Sequence, residues 1–198
     1  DMPTNVATQL GMQSRFAPRG RYSWQEGVLA QFNSWLVDRY AALANHLQYR
    51  GYNVVLTASP APSEVALAQQ ITALAGSNII NLAGQTTLKQ LLAVVADATL
   101  VVAPDSGTAH MAVTQNTPVI GLYAHSNPKR TGPYRFQFLT IDAYQKNLQH
   151  LSSNSAKSNK WGVRLKGAHL MEDIALSEVI AKADEVLSEA PNPSDHNS

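Results

Sequence analysis

From Trp35 onward the chain carries a clear apolar rhythm. Leu36, Tyr40, Leu43, Ala44 and Leu47 recur at helical spacing until Gly51 stops the run. NVVLTA, Asn53 to Ala58, is short, β-branched and strand-like. Pro62-Ser63-Glu64 opens a second helix that runs to about Ala75, with the proline suited to a first turn. NIINL, Asn78 to Leu82, predicts a second strand. Thr87 to Ala96 predicts a third helix with Thr86 or Thr87 as N-cap, and Thr99 to Ala103 a third strand. A short helix over Thr108 to Gln115 and a fourth strand over Pro118 to Tyr123 complete the alternation. The links are short and the strands mostly all-apolar. That pattern predicts an α/β fold, a Rossmann-like doubly wound parallel sheet covered by helices on both faces.

The flanks are quieter. Gly11, Pro18, Gly20 and Gly27 break any period in residues 1–30, which read as mostly loop with a short strand near Val28 to Ala30. Gln145 to Trp161 is polar and reads as a surface excursion. Ile174, Val179, Ala183 and Val186 make Met171 to Leu187 an amphipathic helix. The expected organisation is a poorly patterned segment over 1–34, one Rossmann-like domain over 35–189 and a frayed tail over 190–198, with no internal repeat.

Composition then narrows the partners. The 198 residues suit one domain of ordinary size, and 44% of them are hydrophobic, enough for a core. A formal charge of +1 gives no support for a nucleic-acid partner. The absence of cysteine excludes a disulfide framework, thiolate chemistry and a cysteine-based metal site, and it fits a reducing compartment. No apolar run approaches the roughly 20 residues that span a bilayer, and the first residues lack the apolar core of a secretory signal. The chain opens on Asp1 rather than Met, as a fragment of a longer protein would.

Candidate chemistry sits in the turns. Ligands of an open parallel sheet bind at the carboxyl ends of the strands. Asp105 lies just past such an end, and Ser106 and Gly107 lead into a helix start. Its amides and dipole favour an anion such as a phosphate. Gly107 admits close approach of a ligand, and His110 on the first turn faces back to the same crevice. The same turn also reads as a simple helix cap. AHSNPKRTGPY, Ala124 to Tyr134, follows the next strand and reads either as a phosphate loop with Lys129 and Arg130 as donors or as a solvated basic loop. TASPAPSE, Thr57 to Glu64, puts Glu64 at a helix start, where it also simply favours the dipole. Gly84 to Leu88, GQTTL, reads either as a cap or as a loop over a base or ribose. Parallel strands gather these four loops at one edge, which favours one shared site.

The run VVAPDSGTAHMAVTQNTPVIGLYAHSNPKRTGPY resembles the donor-domain signature of glycosyltransferase family 9, the ADP-heptose:lipopolysaccharide heptosyltransferases. The shared pattern is an Asp-Ser/Thr-Gly turn, a His three residues on, an apolar strand begun by Pro and a Pro-x-x-x-Gly-Pro-Tyr loop. Here these are Asp105, Ser106, Gly107, His110, Pro118, Pro128, Gly132, Pro133 and Tyr134. WLVDRYAALANHL, GYNVVLTASPAPSE and NLAGQTTLKQLLAVVADATLVV also look like the family, so the likeness covers roughly residues 35–135.

The resemblance implies the C-terminal half of a two-domain GT-B enzyme. That half would bind the nucleotide sugar, ADP-heptose. By similarity, Asp105, Ser106, Gly107 and His110 would line the heptose-diphosphate site, with Lys129 beside them. Glu64 would sit near the ribose, and Thr86, Thr87 and Leu88 near the base. Transfer would proceed with inversion to a lipid A–core acceptor held, with the catalytic base, by an N-terminal domain for which this chain has no room. No metal or cofactor is implied, since loop amides and cationic side chains can carry the leaving charge. The diphosphate cation that the resemblance implies ahead of Trp35 is either missing or supplied by Arg15, Arg19 or Arg21. The implied setting is cytoplasmic, with peripheral contact at the inner membrane, to which the basic residues Lys146, Lys157, Lys160, Arg164 and Lys166 could add. Two other functions fit the same residues: a non-catalytic nucleotide-binding module, and another GT-B glycosyltransferase or an epimerase.

Overall fold

The structure, a computed structural model, describes residues 21–26, 35–76, 79–152 and 162–189. Six strands form one sheet: β1 (Arg21–Glu26), β2 (Asn53–Ala58), β3 (Ile80–Asn81), β4 (Leu100–Pro104), β5 (Val119–Tyr123) and β6 (Ile141–Asp142). They lie in the order β3-β2-β1-β4-β5-β6, and every neighbouring pair is parallel. The helices are α1 (Val37–Tyr49), α2 (Pro62–Leu74), α3 (Leu88–Ala96), α4 (Gly107–Thr114), α5 (Pro128–Thr131), α6 (Tyr144–Ser152) and α7 (Leu176–Glu189). Two 3-10 turns, Tyr134–Leu139 and Ala168–Asp173, precede β6 and α7.

The pleat explains why the strands read as unbroken apolar runs. Val54, Leu56, Leu100, Val102, Ile120 and Leu122 bury one face of the sheet with α1, α2 and α7. The alternate residues Val101, Ala103 and Val119 bury the other face against α3 and α4. Each fully buried large side chain of this kind stabilises the fold by about 1.5–3 kcal/mol. Tyr40, Leu43, Ala44 and Leu47 all turn into the core, as their helical spacing predicts.

The chain winds from β1 outward to β3, then crosses to β4 and winds the other way. The order therefore reverses between β1 and β4, and a crevice opens there at the carboxyl ends of the two strands. Four of the predicted strands and their intervening helices are present within a residue or two.

β1 is the main difference from expectation. The sheet takes its central strand from Arg21–Glu26, inside the segment expected to be poorly patterned and ahead of the expected domain start at residue 35. RYSWQE has none of the apolar continuity of its neighbours, so its sequence does not announce a central strand. The strand expected at Val28 to Ala30 lies outside the described residues, as do Arg15, Arg19 and the tail over 190–198. Arg21 begins β1, so its backbone lies at the amino edge of the sheet. At about 3.3 Å per residue that is some 17 Å from the carboxyl edge, which argues against Arg21 as the diphosphate cation.

The C-terminal third is also more ordered than its polar sequence implies. The helix Tyr144–Ser152 takes in the first part of the expected surface excursion, and Asn147 within it is buried, as is Tyr144 just ahead of it; residues 153–161 lie outside the described residues. Lys146, one of the basic residues that could add membrane contact, is ion-paired with Asp173. α7 and the turn ahead of it are pinned to α1 and its flanking residues by polar contacts as well as by the apolar stripe of α7. Trp35 Nε1 donates to the Ile174 carbonyl at 2.9 Å, and Asp184 accepts from Arg50 at 2.6 Å and lies 2.9 Å from His46.

Candidate functional site

The carboxyl edge gathers four loops, as parallel strands require. The β2–α2 and β3–α3 loops touch on one side of β1. Gly84, at φ +70, packs against Pro60 and Val65: a Cβ there would lie 3.3 Å from Pro60 Cα, and its N–H donates to the Ala58 carbonyl at 3.0 Å. The β4–α4 and β5–α5 loops meet on the other side. Strands are spaced about 4.8 Å apart, so the ends of β2 and β4 stand about 10 Å apart across β1. That span suits one elongated ligand.

The β4–α4 turn is more than a helix cap. Ser106 is the N-cap residue of α4, yet its side chain makes no capping bond. Its Oγ is buried without a partner, and so is Thr108 Oγ1 on the first turn. Asp105 does not cap either. Its Oδ2 accepts from Ser126 Oγ at 2.5 Å and more weakly from Thr131 Oγ1 at 3.4 Å. A Cβ at Gly107 would meet nothing within 4 Å, so the helix start faces open space. Two buried hydroxyls without partners are costly in water-free surroundings unless something else satisfies them. An anion at the start of α4 would do so, supported by the helix dipole. His110 is exposed on the same turn, and Lys129 is exposed on the first turn of α5.

The other pair of loops is built differently. Glu64 is only 1% exposed, and its Oε2 accepts from the Ser59 N–H at 2.8 Å. It therefore fixes the β2–α2 loop. Thr87 caps α3 in a reciprocal arrangement with Gln90, whose Oε1 accepts from the Thr87 N–H at 2.9 Å. Leu88 is 69% exposed, an apolar surface at the mouth of this half of the edge. Thr86 precedes the cap.

A further wall comes from a distant part of the chain. Residues 162–165 lie along the β5–α5 loop. Leu165 N–H donates to the His125 carbonyl at 2.8 Å, and His125 Nδ1 lies 3.1 Å from the Leu165 carbonyl. Tyr144 Oη donates to the Val163 carbonyl at 2.8 Å, and Arg130 to the Gly162 carbonyl at 3.3 Å. Between this wall and Asp105 is a cavity of about 200 Å³, which Ser126, Asn127, Thr131 and Arg164 also line. Burial holds the His125 ring below the ordinary histidine range, and the Arg164 and His169 charges act in the same direction; the bond to Leu165 opposes them. The neutral ring then donates from Nδ1, which leaves Nε2 buried without a partner. Burial, with the nearby Asp105, raises the Tyr123 phenol, whose Oη donates to the Thr131 carbonyl at 3.0 Å.

A sequence profile of glycosyltransferase family 9 (heptosyltransferase) matches residues 17–161. The chain belongs to glycosyltransferase family 9. It is 42% identical over 148 residues to the lipopolysaccharide core heptosyltransferase OpsX of Haemophilus influenzae, covering 75% of this chain and 43% of that protein. It is 37% identical over 103 residues to lipopolysaccharide heptosyltransferase 2 of Escherichia coli, covering 50% of this chain and 29% of that one. The chain thus spans less than half the length of these curated relatives. The solved structure of Escherichia coli ADP-heptose lipopolysaccharide heptosyltransferase II matches with a TM-score of 0.67 at 23% identity, over 93% of this chain and 50% of that one. A family 9 glycosyltransferase from Veillonella parvula matches with a TM-score of 0.72 at 22% identity, over 93% of this chain and 51% of that one. These two likenesses establish the fold, a Rossmann-like layer of the GT-B kind.

The profile begins before β1, so the family 9 domain includes the central strand that the sequence pattern left out. It ends at residue 161, just ahead of the wall at 162–165. Sequence reasoning brought Asp105, Ser106, Gly107, His110 and Lys129 to one edge and missed Ser126, Thr131, Arg130 as a clamp, and His125. The hydroxyls of Ser126 and Thr131 beside Lys129 and Arg130 were visible in the sequence, but their partners lie 21 to 32 positions away.

Proposed function

We propose that this chain is the donor-binding half of a heptosyltransferase that acts on the lipopolysaccharide inner core, with ADP-heptose as the donor. The observation that carries this reading is the uncapped start of α4, with the Ser106 and Thr108 hydroxyls buried and unpartnered beside Asp105. A diphosphate seated there would accept from the first amides of α4 and from these hydroxyls, with Lys129 and His110 at the rim. The Asp105 carboxylate would accept from a sugar hydroxyl. Leu88 would cover the adenine, beside Thr86 and Thr87. Glu64 would shape the ribose end through the Ser59 loop that it holds.

In the transfer, an acceptor hydroxyl forms the new bond to the anomeric carbon as the bond to the diphosphate oxygen breaks, with inversion. The proton passes to a base on the acceptor-binding half of the enzyme. The donor half's part is electrostatic: amides and hydroxyls already in place stabilise the charge that grows on the leaving diphosphate. No metal takes part in this reading. Among the described residues, no helix is long and apolar enough to cross a membrane. The reaction is assigned to the cytoplasmic face of the inner membrane, where the enzyme would reach its lipid A–core acceptor by peripheral contact.

Calorimetric titration with ADP, ADP-heptose and UDP tests this. Saturable binding that prefers adenine ligands, with a further gain from the heptose, is the expected result. Equal affinity for UDP and ADP, or no binding by a folded sample, would overturn it.

A further inference from the structure

The wall at residues 162–165 is built with more polar fastening than a passing loop needs. Three side chains from three different elements, Arg130, Tyr144 and His125, each engage a carbonyl of this short run, and Leu165 returns a bond to His125. The cavity that it closes is lined by one acidic residue, Asp105, and two basic ones, Arg130 and Arg164. Its volume of about 200 Å³ lies below the roughly 300–1,000 Å³ of sites that enclose a drug-sized ligand, so it suits one ring rather than a nucleotide. Carboxylate, amide, hydroxyl and guanidinium groups at close quarters are the donors and acceptors that a polyhydroxylated ring requires.

We propose that this wall determines specificity for the glycosyl group of the donor, and that Arg130 is the positioning residue that holds it against the Asp105 cavity. The proposal rests on the nucleotide-sugar reading above. Arg130 acts through Gly162, to whose carbonyl its Nη1 donates at 3.3 Å. Gly162 is matched to this contact, because a Cβ there would lie 2.7 Å from Arg130 Nη1. The flexible arginine end would yield, so Gly162→Ala displaces the clamp from the opposite side to Arg130→Ala.

The test compares ADP with ADP-heptose on the wild-type chain, Arg130→Ala, Gly162→Ala and the double variant. Both contact residues are exposed, and thermal unfolding checks that each variant remains folded. Each single variant should lower the preference for ADP-heptose over ADP by roughly tenfold with ADP affinity unchanged, and the double variant should fall no further than either single one. Folded variants that keep the wild-type preference, or that lose ADP and ADP-heptose affinity equally, would overturn the proposal. A wild-type chain that binds ADP without any gain from the heptose would instead remove the nucleotide-sugar reading, and the wall's role with it.

Discussion

Ser126 donates a 2.5 Å hydrogen bond to Asp105 across 21 positions of sequence, joining the loops that follow two adjacent strands. Both hydroxyl contacts on Asp105 go to Oδ2. Asp105 is thereby oriented by its neighbours, with Oδ1 left for a ligand. Asp105→Ala should weaken ADP-heptose binding by about tenfold and ADP binding much less. Equal losses for the two ligands in the titration would count against a sugar contact.

Thr87→Ala separates the two roles its position allows. The side chain already exchanges hydrogen bonds with Gln90. Urea unfolding should show a loss of about 1 kcal/mol, the usual worth of such a cap, with ADP affinity nearly unchanged. A large drop in ADP affinity at unchanged stability would move the hydroxyl from the helix to the base.

Trp35→Phe tests the docking of α7. The indole is 1% exposed and bonds the Ile174 carbonyl, and it meets Tyr40 edge-on with ring centroids 5.1 Å apart. Arg39 also donates to that carbonyl at 2.5 Å, so the acceptor keeps one partner. The expected cost is about 2 kcal/mol, from one buried hydrogen bond and the volume removed. A urea midpoint equal to wild type would show that the indole hydrogen bond adds nothing to the docking of α7.

His125 makes stability depend on pH. Its folded pKa lies below the ordinary 6.5, chiefly through burial. The unfolded chain therefore takes up a proton first as pH falls. No stability is lost above about pH 7; loss starts as pH passes 6.5 and levels off once the depressed folded value is passed. Urea midpoints at pH 7.5 and 5.0 measure the difference. His125→Asn, which keeps a side-chain N–H for Leu165, should flatten it. An unchanged pH dependence in that variant would assign the titration to other groups.

The limits of the sequence are physical ones. β4 and β5 were legible because LVVAP and VIGLY face helices on both sides and so carry apolar side chains throughout. The Asp105 turn was legible because its chemistry is local, a short polar stretch between an apolar strand and a helix. β1 was not, since RYSWQE lacks that continuity, and β6 was not, since two residues show no period. The partners of Asp105 and the clamp on Gly162 were hidden for another reason. Each joins residues more than 20 apart, and only the strand order β4-β5 with the return of the chain at residue 162 brings them together.

The position of β1 has a consequence for how the protein can be cut. The six residues of β1 pair with β2 on one side, and Tyr22, Ser23 and Trp24 among them pair with β4 on the other. A truncation that began at residue 35 would keep every helix described above and still divide the sheet into a two-strand and a three-strand piece. Each piece would present a bare edge of unpaired amides and carbonyls along an apolar strand, which is a template for pairing with other chains. Removing this small fraction of the sequence would thus turn one continuous parallel sheet into two sticky fragments, and aggregation rather than loss of ligand affinity would be the first symptom.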